Sequence, residues 1–102
     1  MKALNVIILE EVKEDLLSGK MFYDLNENGV GTYFYDCLLS DIESLLLYAG
    51  IHNKHLGYYR MMSKRFPFAI YYYIQKETAI VVAVLDMRRD PSWIFKRVRN
   101  KK

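Results

Sequence analysis

The side chains able to carry chemistry are mostly cations, and they gather late in the chain. Arg60, Lys64 and Arg65 flank a bend between two apolar runs, Arg88 and Arg89 close a third, and Trp93, Lys96, Arg97 and Arg99 follow. Guanidinium groups so placed bind a phosphate through paired N–H donors, or hold the negative charge that develops during phosphodiester cleavage. RNA cleavage needs a base on the 2′-hydroxyl and cations on the phosphate, so a metal-independent endoribonuclease does not require histidine. The competing reading is that these arginines solvate the rim of a sheet. Residue type alone leaves both open.

Other chemistries lack their residues. His52 and His55 stand three apart in a polar stretch without further ligands nearby, so they read as solvated loop histidines and no metal is expected. Cys37 reads as a small packing residue. There is no phosphate-cradling glycine loop, nucleophile elbow or paired-histidine metalloprotease helix, and no cofactor is implied. Glu10, Glu11, Glu14 and Asp15 crowd a helix start, where they complement the dipole.

The elements that must position the cations follow from the apolar pattern. Residues 4–9 are β-branched and apolar and predict a buried strand. From Glu11, Val12, Leu16, Gly19 and Tyr23 share one helical face, with Leu17, Met21 and Leu25 in a second stripe beside it. Asn26-Glu27-Asn28-Gly29 breaks that helix. A second helix opens at Gly31 or Thr32 and carries Phe34, Leu38, Ile42, Leu45 and Ala49 to Gly50, making a helical hairpin. Residues 51–57 read as a loop. Strands follow over 58–62, 66–74 and 78–85, with a turn at Gln75-Lys76-Glu77 and the last strand covered on both faces. Residues 92–99 predict a short basic helix after Pro91. The order β-α-α-β-β-β-(α) is that of an α+β fold, an antiparallel sheet with an N-terminal strand and a helical hairpin on one face.

Composition sets the frame. The 102 residues are 52% hydrophobic and 26% charged, with nine Tyr and five Phe, which is enough for one globular domain over 1–102 and too apolar for disorder. No apolar run approaches the roughly 18 residues of a membrane span. Acids directly after Val6-Ile7-Ile8-Leu9 argue against a signal peptide, and a single Cys37 excludes an internal disulfide framework, so a cytoplasmic protein is expected. The net charge of +3 is unevenly spread: residues 1–44 hold three bases against nine acids, and residues 88–102 hold seven bases against Asp90 alone. The basic end, a tail at about 96–102, reads as a footprint for a polyanion or acidic partner, or as a solubilising extension. With only Val98 to bury, it is expected to add little stability.

Three stretches carry a family resemblance. Tyr59-Arg60-Met61-Met62-Ser63-Lys64-Arg65-Phe66-Pro67-Phe68-Ala69-Ile70-Tyr71-Tyr72 resembles the middle-strand signature of the RelE/ParE toxin superfamily, plasmid-stabilisation type. Val84-Leu85-Asp86-Met87-Arg88-Arg89-Asp90-Pro91 is similar to its next marker, and the helix–Gly29-Val30-Gly31–helix passage with Phe34 to a third. The resemblance implies the toxin of a type II toxin–antitoxin pair, cytoplasmic, neutralised by a cognate antitoxin, and acting either on messenger RNA at the ribosome or as a DNA gyrase inhibitor. Under the endoribonuclease branch, Arg65, Arg88 and Arg89 are the expected catalytic residues, with Arg60, Lys64, Trp93, Lys96, Arg97 and Arg99 binding RNA or another target. The position matching the family's basic middle-strand residue holds Phe68, a departure from the ribonuclease pattern. Leu17, Met21, Phe22 and Leu25 are apolar surface in excess of what a small two-layer domain covers, and are the expected antitoxin contact. The readings left beside the toxin are a non-toxic basic RNA-binding accessory protein and an inactive antitoxin-binding relic.

Overall fold

In the computed structural model, which describes residues 3–99, the chain runs β1 (Asn5–Ile8), α1 (Glu10–Asn26), α2 (Val30–Glu43), α3 (Leu45–Tyr48), β2 (Lys54–His55), β3 (Tyr58–Met62), β4 (Phe68–Gln75), β5 (Thr78–Asp86) and α4 (Pro91–Arg99). The five strands form one sheet in the order β1-β5-β4-β3-β2, with β1 parallel to β5 and every other pair antiparallel.

Alternation along the inner strands sends side chains to two separate cores. On one face, Phe68, Ile70 and Tyr72 of β4 and Ala79, Val81 and Val84 of β5 meet Val12 and Leu16 of α1 and Phe34, Leu38 and Ile42 of α2. On the other, Ala69, Tyr71, Val82, Ala83 and Leu85 meet Ile94 and Val98 of α4. Burial on both faces explains why β5 reads as an almost unbroken apolar run. The register shifts at Tyr71/Tyr72, where Tyr71 pairs with Ala83 and Tyr72 with Val81, so Val82 is the extra residue of a bulge.

Four expectations change. The strand within residues 4–9 is not buried: β1 lies at the edge of the sheet, with Leu4 and Ile7 exposed. The second helix does not run unbroken to Ala49: it stops at Glu43 and restarts at Leu45. Ser44 causes the break, since its hydroxyl donates to the Asp41 carbonyl and its N–H is shared between the Ser40 and Asp41 carbonyls. The 51–57 stretch is not all loop. Lys54 and His55 pair with Tyr59 and Tyr58 across a two-residue turn in which Leu56 and Gly57 both have positive φ, 57° and 86°. The basic end is not a tail through 96–99, because Lys96–Arg99 complete α4 and Val98 is fully buried; residues 100–102 lie outside the described residues.

The hairpin that bears the site's floor is locked by one close approach. The Gly31 N–H donates to Asp24 Oδ1 at 2.7 Å, and this amide holds the Asp24 carboxyl below its ordinary range. A Cβ at Gly31 would collide with the Lys20 carbonyl oxygen and the Asp24 carboxyl group. Gly31→Ala is therefore expected to lower unfolding free energy by about 3 kcal/mol, as overpacking against backbone does. Urea denaturation checks this, and a loss under about 1 kcal/mol would mean that α1 and α2 separate freely there.

Candidate functional site

A cleft of about 320 Å³ opens where α1, the ends of β4 and β5, and α4 converge. Asp15, Ser18, Gly19 and Phe22 line it from α1, Phe68 and Val84 from the sheet with Asp86, and Arg89, Trp93 and Arg97 from the chain beyond β5. Gly19 lets α1 sit directly on the buried Phe34 ring, which a side chain there would strike. Arg97 Nη2 lies 2.7 Å from Asp15 Oδ1, and Asp15 Oδ2 accepts the Val84 N–H at 3.2 Å. The Arg89 guanidinium stacks 3.9 Å above the Trp93 ring, with Arg97 5.3 Å from the same ring. Trp93 thus has cations against it already, and Arg89 makes no ion pair among the described residues.

Arg88 is turned into a clamp of its own. Its Nε and Nη2 reach the two Asp86 oxygens at 2.9 and 2.8 Å, and Nη2 also donates to the Tyr23 hydroxyl at 3.2 Å. The Arg88 hydrogen bonds hold the Asp86 carboxyl below its ordinary range, and Asp86 in turn raises the Arg88 pKa. The stability this pair adds is complete above the ordinary aspartate value of 3.8 and is lost as pH falls through the lower folded value. Half-exposure of Arg88 limits the gain to about 1 kcal/mol. Acid unfolding below about pH 4 is expected to shift measurably in Asp86→Asn, while the difference from wild type between two neutral pH values stays constant. A pH-independent difference across the acid range would contradict the clamp.

The remaining predicted residues do not join this cleft. Arg65 and Lys64 line a separate, smaller cleft with Cys37, Ser40, Asp41 and Ser44 of the α2 side. Asp41, nearly buried, accepts the Ser63 hydroxyl at 2.7 Å and so fixes the loop that carries them. Arg60 lies toward the β2 edge with Ile51, His52, Asn53, His55 and Met62. His52 is not a solvated loop histidine: its Nδ1 meets the buried Tyr72 hydroxyl, and burial lowers its pKa. Lys96 and Arg99 are exposed on α4, where Arg99 lies over Phe95. Leu17, Met21, Phe22 and Leu25 are all exposed on α1. Among the described residues no three of His, Cys, Asp or Glu are grouped as metal ligands.

Two site residues escaped the sequence reading. Asp15 looks like a dipole complement, yet it falls three after Val12 and four before Gly19, both buried, and a carboxylate beside that face requires a partner. That position was the available signal for an arginine arriving from afar. Tyr23 looks like core alone, and nothing in its spacing announces the hydroxyl that reaches Arg88.

No protein-family model and no curated protein matches the sequence. Among solved structures, the fold is similar to "Chromosomal ParDE TA system from P. aeruginosa", with a TM-score of 0.73 and 11% identity over 80% of this chain and 94% of that chain. At that identity the likeness speaks for the backbone arrangement: a mixed sheet, a helical hairpin on one face, and a late helix beside the last strand. The chain has the RelE/ParE-like α+β fold.

Proposed function

We propose that this chain is the toxin half of a cytoplasmic toxin–antitoxin pair, and that it arrests growth by binding DNA gyrase rather than by cutting messenger RNA. The toxin assignment is supported by the fold it shares with a ParDE structure and by the apolar stripe left uncovered on α1. No helix among the described residues is long and apolar enough to cross a membrane.

The observation that carries the choice of mechanism is the dispersal of the cations a ribonuclease would assemble. Stabilising a phosphorane takes preorganised donors aimed at one point. Arg88 spends two of its nitrogens on a carboxylate. Arg65 stands in another cleft, and the matching middle-strand position is occupied by Phe68, only 6% exposed. Arg89 alone faces the main cleft without an ion pair, and both carboxylates there, Asp15 and Asp86, are held by arginines. Neither carboxylate lining that cleft is free of an arginine partner to act as a base on a 2′-hydroxyl. Target binding asks less: an exposed Arg89 stacked on a half-buried Trp93 beside an aromatic-walled cleft is a suitable contact for a protein or nucleoprotein surface.

The test is induced expression without any partner, read by growth, protein synthesis and plasmid supercoiling. Growth arrest with altered supercoiling ahead of any fall in translation supports the reading. Harmless expression would favour the accessory or relic readings, and prompt transcript cleavage would restore the ribonuclease.

A further inference from the structure

The two edges of the sheet are built differently. At one edge, β2 is two residues long, carries Lys54 and turns away through Leu56 and Gly57 at positive φ. A short, charged strand of this kind resists further pairing. At the other edge β1 has no such guard: Leu4-Asn5-Val6-Ile7-Ile8-Leu9 holds no Lys, Pro or Gly. Leu4 is 65% exposed, Ile7 49% and Leu9 38%. The direction of the backbone groups follows from the register. The partners Asn5↔Thr78 to Ile8↔Val81, closed by the Leu9 N–H donating to the Val81 carbonyl at 3.2 Å, turn the N–H and C=O of Asn5 and Ile7 toward β5. Those of Val6 and Ile8 therefore point outward, and no described strand lies beyond them.

We propose that this edge pairs with the same edge of a second copy of the chain, antiparallel about a two-fold axis at Val6, so that both five-stranded sheets become one. In that register Val6 faces Val6 of the second copy, Leu4 faces Ile8 and Asn5 faces Ile7. The two Val6 N–H groups donate to each other's carbonyls, and each Ile8 N–H donates to the opposite Leu4 carbonyl. Val6 and Ile8 already pack on the core under the helical hairpin, and Leu4 shares their side of the strand. Pairing therefore covers the most exposed leucine of β1 with an apolar row. The occupant follows from self-complementarity. Lys2 precedes the strand in sequence and Glu10 follows it, so the same count sets a base of each chain against an acid of the other. Glu10 otherwise meets only Lys13, at 3.7 Å and mostly in water. Moving the axis to Ile7 would set Leu4 against Glu10 instead, so the pattern selects Val6. A contact of one short strand is small beside the about 1,200 Å² of a standard complex, so the dimer is weak and concentration-dependent. The inference does not rest on the toxin–antitoxin reading.

Sedimentation velocity of the full chain is expected to show monomer at about 5 µM and a growing dimer toward about 500 µM. Leu4→Asp, at a position open to water in the monomer, should weaken the dimer at least about tenfold while circular dichroism and melting temperature stay unchanged. Glu10→Lys should weaken it about threefold, and Lys2→Glu added to Glu10→Lys should restore it. Val6→Cys/Cys37→Ser should cross-link to its own copy on oxidation, because directly opposed Cα atoms of a hydrogen-bonded pair lie about 5.5 Å apart, within disulfide reach. Ile7→Cys/Cys37→Ser should not, since each Ile7 faces Asn5. A monomer throughout the range would overturn the proposal and leave the edge to a strand of another protein. A dimer that survives Leu4→Asp, or cross-linking through Ile7→Cys in place of Val6→Cys, would overturn it as well. So would a dimer that Leu17→Asp dissociates and Leu4→Asp does not, since the copies would then meet on α1.

Discussion

Arg88→Ala, produced without antitoxin, is expected to arrest growth nearly as well as wild type. The side chain is a clamp between β5 and α1 through Asp86 and Tyr23, not a free donor facing a substrate. If it held a phosphorane, its removal would slow catalysis about 100- to 1000-fold and toxicity would collapse. As a half-exposed structural pair it is worth about 1 kcal/mol, a small loss for a folded domain. Induction dose against growth rate measures this directly, with circular dichroism verifying the fold. Arg65→Ala, whose side chain lines the cleft beside α2, serves as a companion. Collapse of toxicity in folded Arg88→Ala would reverse the mechanism proposed above. Arg89→Ala is the substitution expected to weaken arrest, because it removes the cation stacked on Trp93 at the mouth of the main cleft.

Ending the chain at Phe95 is expected to destabilise it by about 4 kcal/mol. Val98 is fully buried against the sheet, and its loss alone returns roughly 1.5–3 kcal/mol of burial. Arg97 leaves with it, and Asp15, whose side chain is 10% exposed, loses its cation while retaining the Val84 N–H. An acid stranded so far from water costs about 2 kcal/mol. For a domain of this size the sum moves the melting temperature down by about 20 °C. In the full chain, Arg97→Ala should reproduce the Asp15 part of the loss and conservative Arg97→Lys less of it, and Val98→Ala should isolate the burial contribution. A melting temperature within about 5 °C of wild type would mean that α4 is not held as described.

That second result bears on what the sequence could disclose. The strands and the helical hairpin were legible because their apolar spacing was long and regular: Tyr58–Met62 and Val12, Leu16, Phe34, Leu38 and Ile42 fall where the periodicity puts them. The helix over 92–99 was legible, but the weight of residues 96–99 in the fold was misjudged because charge dominates their composition, while the deciding contacts are one valine and an arginine whose acid partner is 82 residues away. The β2 strand was missed for a related reason. Its turn places Leu56 at positive φ, a conformation that leucine does not advertise. At the candidate site, proximity of Arg88 and Arg89 to the β5 end followed from sequence order, but their roles did not. Only tertiary structure shows that Arg88 folds back on Asp86 while Arg89 turns to Trp93, or that the bend carrying Arg65 is fastened to Asp41 and away from both.

The same dispersal bears on the exposed stripe of α1. A toxin that works by binding needs its antitoxin to cover surface rather than to block a reaction centre, and Phe22 belongs to both places, in the stripe and on the wall of the main cleft. An antitoxin segment seated there would therefore reach the rim of the cleft at Phe22.

The most direct measurement of the central claim uses purified protein in two assays at matched concentration: supercoiling of relaxed plasmid by DNA gyrase, and integrity of a reporter transcript in a reconstituted translation reaction. The account predicts dose-dependent inhibition of supercoiling with the transcript intact. Cleavage of the transcript with supercoiling unaffected would contradict it.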